Sequence, residues 1–166
     1  VMAGTESGNR MNLETFVQRN YMEKILCDAN RRFRDMSNGQ FELKLINVED
    51  AGEGKNKGLD FEVYSIVTGK TRSVNTLSGG ESFMAALSLA LGMADQIQAA
   101  TAAIHLDVMF IDEGFGSLSD NARNEAVNIL KEMAGKQRQI GIISHVSELK
   151  DEIENQLIVK KDDRGS

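Results

Sequence analysis

Apolar residues recur at helical spacing from Asn12 to Met36: Leu13, Phe16 and Val17, then Ile25, Leu26, Ala29, Phe33 and Met36. The spacing predicts a long amphipathic helix. Asn12 can cap its amino end, and Gly39, just after Ser37-Asn38, can close its carboxyl end. The period then falls to two in QFELKLINV (40–48) and LDFEVYSIV (59–67), which reads as a pair of strands. The glycine-rich EDAGEGKNKG (49–58) between them predicts a hairpin with a loose loop. From Ser82 to Ala103 the chain is rich in Ala, Leu and Met, the composition of a well-buried helix.

Beyond that helix the texture changes. Val108-Met109-Phe110-Ile111 is a short all-apolar run ending in Asp112-Glu113. Asp120 to Gly135 returns to helix periodicity through Ala122, Ala126, Ile129, Leu130 and Met133, and Ile140-Gly141-Ile142-Ile143 is a second apolar run ending in Ser144-His145. Strand, helix, strand with fully apolar strands is the pattern of a parallel sheet covered on both faces, hence an α/β fold with an added antiparallel hairpin. QLIVKK (156–161) predicts a last strand before a polar tail. Residues 1–11 read as linker and 12–166 as one domain, divided into a helix-and-hairpin part (12–76) and a second part (77–161).

The composition changes this picture little. At 166 residues, 41% hydrophobic and 27% charged, the chain can bury a real core. No apolar run approaches the ~18 residues that span a bilayer, and the opening VMAGTESGNRM lacks the regions of a secretory signal. The single cysteine, Cys27, excludes an internal disulfide framework and suits a reducing, cytoplasmic setting. Its place on the apolar side of the first helix predicts a buried small hydrophobe. Two histidines and one cysteine are too few and too scattered for a zinc site. A formal charge of −6 argues against nonspecific nucleic-acid binding by the whole surface. The local exception, Arg31, Arg32 and Arg34, reads as a solvated helix face, with a phosphate-contacting patch as the alternative.

Residues 68–82, TGKTRSVNTLSGGES, hold two candidate phosphate-binding signals. Gly69-Lys70-Thr71 has the ending of a P-loop, but the glycine required five residues earlier is Tyr64, so the loop that curls around phosphate is missing. A hairpin turn is the better reading. Ser78-Gly79-Gly80 frees backbone N–H groups at the mouth of a helix whose dipole favours an anion, and Ser78 adds a hydroxyl. Such turns start many helices. This one is followed by VMFIDEG, which places Asp112 and Glu113 at the carboxyl edge of a parallel sheet, where α/β proteins put ligands. An aspartate there can hold magnesium and a glutamate can deprotonate a water, although a helix cap is the blander reading. His145 ends the next strand on the same edge.

The order LSGGE, apolar strand with Asp-Glu, polar turn, strand with Ser-His resembles the signature motif, Walker B, D-loop and switch histidine of ABC-type ATPases. Within them it is most similar to the carboxyl-terminal head segment of SbcC-like repair ATPases. ETFVQRNYMEKILCDANRRFRDMSNGQFEL looks like the helix and strand that follow that family's coiled coil, and NTLSGGESF and FIDEGFGSLS like its signature and Walker B segments. ABC transporter ATPases are the neighbouring possibility, but they typically read LSGGQ and place proline after the Walker B glutamate. Here Glu81 and Gly114 stand in those places, and the chain has no proline.

The resemblance implies a carboxyl-terminal lobe of an ABC-type head that uses ATP and Mg2+. Residues 1–11 would lead from the coiled-coil arm. Glu113 and His145 would be catalytic, Asp112 the metal ligand, and Ser78, Gly79, Gly80, Glu81 and Ser117 cofactor-binding. The first three would serve ATP on the chain's own amino-terminal P-loop lobe, and Ser78 and Gly80 the γ-phosphate of ATP on an opposing head. Implied partners are that lobe, a second head in an ATP-dependent homodimer, an SbcD-like nuclease subunit and double-stranded DNA ends, with no membrane. One departure concerns the D-loop: Ser119 follows Leu118 where the family usually has aspartate, and Asp120 comes one residue later. Two rival readings are a non-catalytic, ATP-gated scaffold lobe and a hydrolase using Ser117. The latter lacks the G-x-S-x-G elbow, since Gly114-Phe115-Gly116-Ser117-Leu118 has a different spacing.

Overall fold

The computed structural model describes residues 13–47, 59–100, 106–134 and 138–159. Helix α1 (Leu13–Met36) leads into strand β1 (Phe41–Leu45), followed by β2 (Phe61–Ser65) and β3 (Lys70–Ser73). Helix α2 (Gly79–Ala100), strand β4 (Val108–Asp112), helix α3 (Asp120–Ala134), strand β5 (Gln139–Ile143) and a single turn, α4 (Leu149–Glu152), complete the order.

Strands β1, β2 and β3 form an antiparallel sheet in that order. Leu43 and Val63 face one another across β1 and β2 and are both buried, as period-two patterning requires. The loop at 49–58 and the Asn12 cap lie outside the described residues, as do the linker at 1–11 and residues 101–103 of the second helix. Gly39 closes α1 as expected: its φ is +74° and its N–H donates to the Arg34 carbonyl at 2.7 Å. Gly69, at φ +67°, turns the chain between β2 and β3, which agrees with a hairpin rather than a P-loop.

Helices α1 and α2 pack against each other, and one continuous core runs from Phe33, Met36 and Leu43 through Leu91 to Ile111, Phe115 and Leu130. By length and composition α2 could cross a membrane. Its Leu87, Leu91 and Ala94 are instead buried in this core.

Strands β4 and β5 pair in parallel, with Phe110 opposite Gly141 and Asp112 opposite Ile143. The expectation of a sheet covered on both faces is not met. Ile111 points into the core, but Val108, Phe110 and Ile143 on the opposite face are 51%, 72% and 54% exposed. Alternation along a strand gives each face its own set of residues, so apolar runs on both faces do not require that this chain supplies both covers.

Four further expectations are corrected. No strand forms at 156–159, where Leu157, Ile158 and Val159 are exposed: β-propensity without a neighbouring strand leaves the backbone unpaired. Residues 160 and 161 of that segment lie outside the described residues. Strand β3, with the polar sequence KTRS, was not expected, because an exposed edge strand carries no apolar alternation. Cys27 is exposed on α1, not buried. The arginine run is not a uniformly solvated face. Arg32 is buried and meets Asp95 of α2 at 2.5 Å, and Asp95 also pairs with buried Arg138 at 3.1 Å, just before β5.

Candidate functional site

Because Asp112 and Ile143 are register partners, β4 and β5 end side by side and deliver Glu113 and His145 to one edge. The Glu113 N–H extends the ladder by one bond, donating to the Ile143 carbonyl at 2.8 Å. The chain then turns through two left-handed residues, Glu113 at φ +61° and Gly114 at φ +97°. A side-chain-bearing residue held there costs on the order of 1 kcal/mol and persists only where its surroundings enforce it. Gly114 is required for space as well, since a Cβ on it would sit 2.1 Å from the Phe83 ring.

Across the strand ends, His145 Nδ1 lies 2.8 Å from Oε2 of Glu113. These side chains are 80% and 48% exposed, so their pairing adds little to stability and leaves both groups open to a ligand. Asp112 is exposed at the end of β4. Among the described residues no three His, Cys, Asp or Glu side chains converge on one metal position. A single exposed carboxylate nevertheless fits Mg2+, which keeps several waters and takes one or two carboxylates together with substrate phosphates.

The second cluster is built at the start of α2. Ser78 and Glu81 form a capping box. The Ser78 hydroxyl accepts from the Glu81 N–H at 3.3 Å, and the Ser78 N–H donates to Glu81 Oε2 at 2.7 Å. The other carboxylate oxygen accepts from Arg72 Nη2 at 3.0 Å. Burial raises the Glu81 carboxyl, but the Ser78 hydrogen bonds and the Arg72 guanidinium outweigh it and hold the group below its ordinary value.

The two clusters meet at the turn 114–117. A Cβ on Gly80 would lie 2.5 Å from the Ser117 carbonyl oxygen, so only glycine lets the helix start approach this closely. Ser117 in turn donates its hydroxyl to the Gly114 carbonyl at 2.7 Å. Phe83 and Phe115 stack edge to face with centroids 5.1 Å apart, fixing α2 to the residue pair that follows Glu113. Arg123 of α3 closes the turn from below, donating to the carbonyls of Phe115 and Leu118 at 3.4 and 3.2 Å.

Glu113 and His145 are therefore brought together beside Asp112, and Gly79 and Gly80 are brought to Ser117. Both oxygens of Glu81 are engaged within the chain. Just after the 114–117 turn, in the segment expected to act as a D-loop, the Ser119 hydroxyl accepts from the Ala122 N–H at 3.4 Å and Asp120 pairs with Arg123 at 3.1 Å, so both serve the start of α3. Sequence reasoning missed Arg72, Phe83 and Arg123. No local pattern marks them, because each acts on a loop distant in sequence or on a backbone carbonyl.

Residues 55–132 match the family model described as "SbcC/RAD50-like, Walker B motif". The SbcC subunit of the SbcCD nuclease from Lactococcus lactis is 41% identical over 165 residues, covering 96% of this chain and 15% of that protein. Its counterpart from Vibrio cholerae is 44% identical over 166 residues, covering 99% of this chain and 16% of that protein. The chain thus spans less than one fifth of the length of these relatives. A solved structure from work on ATP-driven dimerisation and DNA-stimulated activation of SMC ATPases superposes with a TM-score of 0.66 at 20% identity, over 90% of this chain and 84% of that one. An Smc head domain from Pyrococcus furiosus, bound to the carboxyl-terminal domain of ScpA, gives 0.57 at 22% identity, over 83% of this chain and 32% of that one. The fold is that of SMC ATPase heads.

Proposed function

Because the chain belongs to the SbcC/RAD50-like family, we propose that it is the carboxyl-terminal half of an ATP-binding and hydrolysing head in a nuclease complex for DNA end processing and repair. The observation that carries this reading is the Glu113–His145 pair at the carboxyl edge of parallel strands, packed through one turn against a capped glycine-rich helix start.

In this reading ATP sits on an amino-terminal P-loop lobe that covers the exposed face of Val108, Phe110 and Ile143. Exposed apolar surface of this kind marks a binding face. Asp112 holds Mg2+, which when bound neutralises phosphate charge. Glu113 orients the attacking water and accepts its proton as the water oxygen bonds to the γ-phosphorus, while the bond from that phosphorus to the β–γ bridging oxygen breaks and ADP leaves carrying the bridging oxygen. Its carboxylate is half-exposed at the strand end, where a water can reach it. The His145 contact fixes one carboxylate oxygen and leaves the other for water, and His145 acts beside it as the second catalytic residue.

The start of α2 serves a different nucleotide. Ser78 and the backbone N–H groups of Gly79 and Gly80 present a hydroxyl and a positive dipole end to the γ-phosphate of ATP on an opposing head. Glu81 acts through the shape of that loop, and Ser117 supports it from beneath. ATP thereby completes both sites only when two heads close, and hydrolysis releases them. The assembly would include an SbcD-like nuclease subunit and double-stranded DNA ends, in the cytoplasm. A head containing both lobes and carrying Glu113→Gln should convert from monomer to dimer on adding Mg·ATP. A particle that stays monomeric at saturating nucleotide refutes the reading.

A further inference from the structure

Among the charged side chains that touch the two clusters, Arg72 makes an unusual set of contacts. It lies on β3, in the stretch whose Gly69-Lys70-Thr71 mimics a P-loop ending. Its Nη1 donates to the Thr76 carbonyl at 2.7 Å and lies 3.1 Å from the Thr76 hydroxyl, while Nη2 donates to Glu81 Oε1 at 3.0 Å. One guanidinium therefore holds the residue two before Ser78 and the residue three after it. The rigid fork of arginine can bridge both ends of a loop in this way, which the point charge of lysine cannot.

The arginine is itself fixed. Its guanidinium carbon stands 5.3 Å from the centroid of Phe41, and Phe41 stacks on the fully buried Phe33 of α1. Beyond Arg72 the path continues through Glu81 Oε2 to the Ser78 N–H at 2.7 Å. A salt bridge this exposed contributes little to stability, with the Arg72 and Glu81 side chains 33% and 23% accessible. Its geometric effect is larger, because it sets where the loop's hydroxyl and N–H groups point.

We infer that Arg72 is a positioning residue for the signature loop, clamping Thr76 and Glu81 so that Ser78 is preorganised for the phosphate of an opposing head. The inference rests on the assignment of Ser78 to a phosphate in trans, and it adds a residue that does not touch that phosphate. Preorganisation lowers the cost of ordering a binding loop at the moment of contact. Losing it should weaken head closure while leaving the chain's own Asp112–Glu113 edge unaffected.

The test compares two readouts in the full-length protein: affinity for a fluorescent ATP analogue, and ATP-dependent head–head cross-linking. Arg72→Ala should reduce cross-linking at least roughly tenfold, Arg72→Lys should fall between it and the wild type, and nucleotide affinity should stay unchanged for both. In the double variant Arg72→Ala/Glu81→Gln the losses should be less than additive, as for groups acting through one contact. Wild-type cross-linking by Arg72→Ala overturns the inference. So does an equal loss of nucleotide affinity and cross-linking, which would mean general structural damage. Ser78→Arg separates the two levels. If it abolishes cross-linking while Arg72→Ala does not, only the role of Arg72 fails. If Ser78→Arg cross-links normally, the trans assignment fails and the Arg72 inference with it.

Discussion

His145 Nδ1 and Glu113 Oε2 are 2.8 Å apart, a contact that joins the ends of two parallel strands whose last paired residues are Asp112 and Ile143. Neither side chain is buried, so stability alone gives no reason for the contact. It makes sense as an arrangement that orients a carboxylate toward water. Replacing Glu113 by Gln keeps the shape and removes the base. In the complete head this should preserve nucleotide binding and slow hydrolysis by roughly 10²–10⁴-fold, the range for loss of a positioned acid–base group. Single-turnover kinetics at saturating Mg·ATP measure this, and undiminished turnover removes Glu113 as the base.

Much of this site could be read from the chain. The helix start at Ser78-Gly79-Gly80 follows from the glycine turn, and the edge position of Asp112, Glu113 and His145 follows from two short apolar runs flanking a helix; the capping box between Ser78 and Glu81 is a finding of the structure. The features that escaped were set by tertiary partners that apolar periodicity does not mark. Arg32 looked solvated because its counter-charge, Asp95, belongs to another helix. Strand β3 was invisible because KTRS is polar and exists through its pairing with β2. The segment at 156–159 has strand composition but no strand beside it, and Val108 and Phe110 are apolar although none of the described residues covers them. Patterning reports which residues want cover and not which chain segment provides it.

Gly80→Ala tests the contact between the two clusters. The added Cβ would meet the Ser117 carbonyl at 2.5 Å, and a backbone oxygen can yield only by shifting the turn. Overpacking of this kind costs about 1–3 kcal/mol. The midpoint of denaturant unfolding should fall accordingly. An unchanged midpoint means that α2 and the 114–117 turn are not in this close contact.

Ser78→Arg places a large cation where a phosphate should meet backbone N–H groups. ATP-driven dimerisation of the complete head should be lost, while nucleotide binding by the monomer is kept. Size-exclusion chromatography with and without Mg·ATP reads the first, and equilibrium dialysis the second. Normal dimerisation sinks the assignment of this loop to a phosphate in trans.

Glu81 supplies a pH dependence of definite sign. Its carboxyl is held below its ordinary value of 4.5 in the folded chain. The carboxylate form is therefore favoured by folding: its contribution is fully present above that value and is lost as pH falls through the lower folded value. Thermal melting at a series of pH values should show Glu81→Gln less stable than wild type at neutral pH, with the difference shrinking as acid is added. A gap that stays constant into the acid range means that the charge of Glu81 does not serve the cap.

The most direct measurement is Mg·ATP hydrolysis, first by this chain alone and then by this chain co-expressed with the amino-terminal lobe of its full-length protein. Turnover that appears only in the two-lobed head, and disappears with Glu113→Gln, is the expected result. Turnover by the chain alone at the same rate would contradict it, because the chain would then hold a complete site and Gly69-Lys70-Thr71 would have to be more than a hairpin turn.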